Sequence, residues 1–320
     1  MGAYVIRRLL WIPVTVIAVS MIVFLLVRFI PGNVVDLIIA QMEPTNLDLA
    51  ANRQIIMHAL GLDAPVYIQY VRWVSNIVFH GSLGTSLWDS TNIASDIMQR
   101  LPVTMELGIM GVLFGIMISI PIGVFAAIRQ DTISDHVLRS IGIILISLPA
   151  FWIGTMVMIY PAKWWGWTPP MQLIPFAKNP LGNLGQFILP ALILGAGLTG
   201  SSMRMTRTMV LEVLRQDYTR TAWAKGLSER VIVTRHVLRN ALIPVVTIIG
   251  MQLPVIIGGS VIIEEIFSLP GIGRLLVEAL SQRNYPMVSG INLVLATFVI
   301  VINLFVDLSY AWLDPRIHYH

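Results

Sequence analysis

Six long apolar runs, divided by short polar stretches, set the pattern of this chain; they lie near 9–30, 102–128, 138–160, 187–206, 241–263 and 288–312. A bilayer core about 30 Å thick needs roughly 20 mostly apolar helical residues to cross it, and each run meets that length. Strands of a membrane barrel would be about 10 residues long with in-and-out alternation, whereas these runs are apolar throughout. The pattern predicts an all-α membrane protein, a six-helix transmembrane bundle. Pro121, Pro149, Pro190 and Pro254 fall inside the runs and read either as simple kinks or as breaks in a moving pathway. The first run follows Arg7-Arg8 as a secretory signal would. At about 22 residues it exceeds the usual 7–15, and no small-x-small site precedes Pro31-Gly32, so it reads as a retained helix.

Composition agrees with this picture: 56% of residues are hydrophobic and 12% charged, with a mean hydropathy of +0.77, well outside the range of soluble domains. Charge supplies an orientation. With the N-terminus inside, 13 of the 21 Lys and Arg residues fall in the cytoplasmic pieces: Arg7, Arg8, Arg129, Arg139, eight between Arg204 and Arg239, and Arg316. Seven fall in external pieces of roughly twice the total length, the positive-inside signature, which places both termini in the cytoplasm. The remaining cation, Arg28, ends the first run. The pI near 9.6 is thus a topology signal, and no nucleic-acid partner is expected. The absence of cysteine removes disulfides, thiolate metal sites and cysteine nucleophiles.

Residues 31–101 form an external segment. It holds a helical stretch from Asn52 to Leu60 ended by Gly61 and a turn at Asp63-Ala64-Pro65. An amphipathic run then carries Tyr67, Tyr70, Val71, Trp73, Val74, Ile77 and Val78 at helical spacing, and Gly81-Ser82-Leu83-Gly84 breaks it. This segment reads as a structural cap on the membrane surface or as a landing surface for an external partner.

The second informative region is cytoplasmic, 207–240, centred on Asp217-Tyr218-Thr219-Arg220-Thr221-Ala222-Trp223-Ala224-Lys225-Gly226-Leu227-Ser228. Small Ala222 and Ala224 precede Gly226, which permits a left-handed turn. A second amphipathic helix restarts at Ser228 and is expected to run to Asn240-Ala241. A solvated loop beside anionic lipid and a protein-docking element are both consistent with this pattern. Within the spans, Glu106 and Asp307 are either structurally paired or line a pathway, and Asn292, Asn303 and Gln252 are expected to hydrogen-bond between helices. Glu264 and Glu265 end the fifth run beside Pro270-Gly271, a candidate outer gate.

Thr221-Ala222-Trp223-Ala224-Lys225-Gly226 resembles the cytoplasmic signature loop of binding-protein-dependent ABC importer permeases. Arg220 and Thr221 replace that loop's usual acidic residue and first alanine. These departures, together with Arg235-His236-Val237-Leu238-Arg239-Asn240-Ala241-Leu242-Ile243-Pro244, are similar to the dipeptide/oligopeptide (peptide/nickel) branch. Further matching blocks run the length of the chain: Arg7-Arg8-Leu9-Leu10 with Pro31-Gly32, Leu60-Gly61-Leu62-Asp63, Gly81-Ser82-Leu83-Gly84-Thr85-Ser86, Glu264 to Gly273, and Leu313-Asp314-Pro315-Arg316.

The resemblance implies a type I importer permease fold with the first helix in 1–30, an external loop domain 31–101, a core 102–313 and a tail 314–320. It implies a prokaryotic cytoplasmic (inner) membrane location, a second homologous permease, two ABC ATPase subunits and an extracytoplasmic substrate-binding protein. Asp217, Tyr218, Arg220, Thr221, Ala222, Lys225 and Gly226 would then couple to the ATPases. No phosphate-binding Gly-x-x-x-x-Gly-Lys-Ser/Thr loop occurs in the sequence. The chain is therefore expected to be no enzyme and to carry no cofactor, with ATP and Mg held by the partner ATPases. The implied cargo is a di- or oligopeptide; nickel, glutathione or another small solute stays open, as does an ion-coupled secondary transporter that runs without nucleotide.

Overall fold

The structure, a computed structural model, describes residues 2–28, 35, 39, 53, 54, 57, 58, 62–170 and 172–313, with side chains within 6–308. Pro31-Gly32, Gly61 and Asp314-Pro315-Arg316 lie outside the described residues. So does most of the 52–60 stretch, of which Arg53, Gln54, Met57 and His58 are helical. Among the described residues five helices are long and apolar enough to cross a membrane, or six if one bent pair counts as a single span. No named strand is found among them, only an isolated bridge between Thr85 and Asn92.

The helices are α1 Gly2–Arg28, α2 Val66–His80, α3 Ile93–Ile128, α4 Ile133–Ser147, α5 Ala150–Trp165, α6 Pro180–Leu214, α7 Asp217–Ala224, α8 Leu238–Ile266, α9 Ile272–Ser281 and α10 Tyr285–Leu313. The second span starts nine residues before its apolar run, because Asn92 caps α3: its Oδ1 accepts from the amides of Ala94 and Ser95 at 2.9 and 3.3 Å. The third run is not one straight helix. Its two halves, α4 and α5, meet at 96°, because the ring of Pro149 pushes the preceding Leu148 out of the helical region, to φ −83° and ψ 125°. Pro121, Pro190 and Pro254 lie inside unbroken helices.

Two compact units divide the chain. The first comprises residues 1–8, 102–274 and 301–320. Its central helix is α6, whose inward face of Phe187, Ala191, Leu194 and Leu198 meets Leu107 of α3 and Val245, Ile249 and Ile256 of α8. Small residues set the distances here, as expected where lipid offers helices no hydrophobic drive to associate. A Cβ on Gly195 would lie 2.4 Å from the Gly111 carbonyl oxygen, so α3 and α6 touch backbone to backbone.

The second unit comprises residues 9–101 and 275–300. In it α2 packs Tyr70 and Trp73 against Phe24 of α1, with ring centroids 5.4 and 5.6 Å apart. The following loop is tied to the start of α10: Asn284 Nδ2 donates to Ser86 Oγ at 2.8 Å, and the Trp88 indole donates to the Gln282 carbonyl at 3.1 Å.

Candidate functional site

The segment after α6 turns at Gln216 and forms α7, eight residues long. Such a helix is too short to hold itself together in water; two buried positions fix it. Thr219 is fully buried and its hydroxyl donates to the Val213 carbonyl at 2.9 Å. Ala222, three residues on, packs with Ala127 of α3, Val210 of α6, Ile232 and Val237 of the next segment, and Ala241 of α8. Four elements converge on that methyl group, which is why the position is small. The other face is open: Asp217, Arg220, Thr221, Ala224 and Lys225 are exposed, and Tyr218 and Trp223 are 44% and 45% exposed. Asp217 and Arg220 form a loose pair at 3.6 Å. Tyr218 accepts from Asn240 Nδ2 at 3.0 Å, which links α7 to the root of α8.

Gly226 closes the helix at φ +76°, a left-handed conformation costly for any residue with a Cβ; its amide donates to the Trp223 carbonyl at 2.9 Å. The sequence suggests a separate second short helix beyond it, and the structure corrects this. From Ser228 a turn at Glu229–Val231 passes through a π-helical segment, Ile232–Val237, directly into α8. Of the expected loop 207–240, only the stretch between Leu214 and Glu229 stands off the long helices.

The other predicted positions separate. Glu264 is fully buried, and its Oε2 accepts from the amides of Gly273 and Arg274 at 2.7 and 3.2 Å, at the start of α9. A carboxylate at a helix N-terminus meets unpaired amides and the positive end of the dipole. Thr104 Oγ1 accepts from the neighbouring Ile272 amide at 2.9 Å. Pro270 and Gly271 form the turn, and a Cβ on Gly271 would fall 2.3 Å from the Glu264 carboxyl group. Glu265 points away and is exposed. Glu106 of α3 is half-buried beside Asn183 of α6. Asp307 pairs with Arg8 at 2.6 Å. Gln252 does bond between helices, to Ser201 Oγ of α6 at 2.5 Å. Asn292 instead donates within its own helix, to the Val288 carbonyl at 2.8 Å.

Sequence reasoning missed one feature near the root of α7. Asp135 of α4, with no exposed side-chain surface, receives Nε and Nη2 of Arg207 at 2.7 and 2.6 Å in a two-point contact, plus the Asp131 amide at 3.0 Å. Arg139 adds a longer contact at 3.6 Å. Only the Asp135–Arg139 spacing of four hinted at pairing; Arg207 counts merely as a topology cation when read along the chain.

With the geometry in place, comparison with known proteins gives the class. Residues 119–319 match the family described as "Binding-protein-dependent transport system inner membrane component", and residues 1–108 match its N-terminal companion. The chain belongs to this family and is a multi-pass inner-membrane protein with a type I importer permease fold. It is 38% identical over 320 residues, all of both chains, to a putative peptide transport system permease protein of Brucella suis. It is 37% identical over 322 residues, again all of both, to the oligopeptide transport system permease protein AppB of Bacillus subtilis. The dipeptide transport system permease protein DppB of Escherichia coli is 35% identical over 339 residues, covering 99% of this chain and 98% of that one.

Proposed function

We propose that the chain forms half of the translocation pathway of an ATP-driven importer of di- or oligopeptides, and that α7 is its coupling element. The observation that carries this is the two-faced character of α7. Its buried Thr219–Ala222 face ties it to α3, α6 and α8, while Tyr218, Arg220 and Trp223 stand exposed. Exposed aromatic and guanidinium groups on a rigid short helix are what a protein-docking site requires. Full-length similarity to dipeptide and oligopeptide permeases supports the cargo class.

In this reading two ATPase subunits bind ATP and Mg beneath the membrane and receive α7, a second similar permease completes the pathway, and a binding protein delivers peptide from outside; both termini face the cytoplasm. This chain carries no nucleotide and catalyses nothing itself. ATPase closure pushes α7, and the push reaches α8 through the shared packing at Ala222 and the Tyr218–Asn240 bond. The Glu264–Gly271 turn, with Glu265 and Pro270, serves as an outer gate. Exchanging Glu264 and Glu265 for glutamine without any change in transport would remove that assignment.

The deciding experiment is co-purification of the chain with the products of neighbouring genes in mild detergent, followed by vanadate-sensitive ATP hydrolysis with and without peptide-loaded binding proteins. Recovery of a second permease and ATPases, with hydrolysis raised by a loaded binding protein, is the expected result. A chain that purifies alone yet moves solute in vesicles without nucleotide would overturn it.

A further inference from the structure

A cavity of about 340 Å³ opens in the second unit where the end of α1, the inner face of α2, the 83–87 loop and the start of α10 meet. Its walls include Phe24, Arg28, Gln69, Arg72, Trp73 and Tyr285, and among the described residues no carboxylate lines it. Arg28 is fixed in place: its Nε and Nη2 both donate to Gln69 Oε1, at 3.0 and 2.5 Å, and its guanidinium lies 4.0 Å over the Phe24 ring. Gln69 is itself held by donation to the Ala64 carbonyl at 2.8 Å. Arg72 is exposed and makes no ion pair among the described residues. The Trp73 indole N–H is buried without a hydrogen-bond partner among the described residues, an arrangement that costs free energy unless an acceptor arrives. Two guanidinium groups and one unsatisfied donor, with no negative charge among the described lining residues, describe a site for an anion.

The surroundings say which kind. Arg28 is the last residue of the span Ile6–Arg28, and Tyr285 is the first of the span Tyr285–Leu308. The cavity therefore lies at the level where two apolar spans end. Beside it, α2 carries an uncovered apolar stripe of Tyr67, Val71 and Val78, 69%, 62% and 67% exposed. A helix with one such face open lies in the headgroup region of a bilayer. An anion that is itself joined to acyl chains satisfies both features at once. We propose that this cavity binds the phosphate of a phospholipid headgroup, clamped by Arg28 and Arg72 with Trp73 donating.

The test is native mass spectrometry of the full chain in detergent, offered phosphatidylglycerol, diacylglycerol with the same acyl chains, or inorganic phosphate. Phosphatidylglycerol is expected to be retained and diacylglycerol to be lost. Arg72→Gln should cut retention about tenfold, the scale of one charge-assisted hydrogen bond, with the unfolding midpoint unchanged because Arg72 is exposed. Trp73→Phe, which removes only the N–H, should give a smaller loss and stands as a second variant. Equal retention of diacylglycerol, or unchanged retention in Arg72→Gln, would overturn the proposal. Inorganic phosphate binding as tightly as the lipid would overturn it too, in favour of a free-anion site.

Discussion

Two aspartate–arginine pairs flank the end of α6, and they differ in nearly everything but composition. Asp135–Arg207 is two-point, at 2.6 and 2.7 Å, with side chains 0% and 14% exposed. Asp217–Arg220 is a single contact at 3.6 Å with side chains 97% and 72% exposed. Charges removed from water must keep their partners, because a lone buried charge costs several kcal/mol. Charges left in water gain little from each other and remain available to something else. The first pair fastens α4 to α6; the second presents an unspent charge pattern on α7. If α7 couples as proposed, it draws on both kinds of pair: buried charges that hold the helices beneath it and solvated charges left free for a partner.

Breaking the buried pair should have the largest effect. Asp135→Ala or Arg207→Ala is expected to destabilise the purified chain by about 3 kcal/mol, read from its unfolding in detergent. Replacing both together, Asp135→Leu with Arg207→Met, should recover most of that loss; equal damage from the double variant would show that the pair itself is not what matters. Next comes the seat of α7. Ala222→Leu should cost about 1–3 kcal/mol by overpacking and release the ATPases in co-purification.

Gly226 separates conformation from packing, since a Cβ there would meet nothing within 4 Å. Gly226→Ala should therefore cost only about 1 kcal/mol, for the left-handed backbone. Gly226→Pro also loses the bond to Trp223 and should abolish coupled transport while membrane insertion persists; wild-type transport in that variant would refute the role of α7. The smallest structural effect belongs to the exposed pair. Asp217→Asn with Arg220→Gln should leave stability within about 0.5 kcal/mol yet weaken ATPase retention, increasingly so at low salt. Unchanged retention would mean that the face works through Tyr218 and Trp223 alone.

The apolar runs made the spans legible because a bilayer demands length and hydropathy, both local properties. Even so, the run at 138–160 concealed a right-angle turn, since Pro149 breaks its span whereas Pro121, Pro190 and Pro254 do not. A proline is found in both settings, so its presence in an apolar run does not by itself say whether the run bends. That a short helix ends at Gly226 was readable from the small residues before it and from Gly226 itself. The seat of that helix was not, because the partners of Ala222 come from α3, α6 and α8, as far away as Ala127 and Ala241. Long-range pairing likewise hid Asp135–Arg207. Glu264 and Glu265 show the same limit at closer range: adjacent and chemically alike, one is buried against α9 and the other faces out.

The π-helical segment Ile232–Val237 bears on every later experiment along α8. A single π turn accommodates one residue more than the α-helix it interrupts, which amounts to a phase slip of roughly 100°. A helical wheel drawn without interruption from Glu229 to Ile266 would misplace the faces of α8 by about a quarter turn. The chain contains no cysteine, so paired cysteines can be introduced on a silent background. Positions for such crosslinks beyond Val237 should be numbered from Leu238 as a fresh origin.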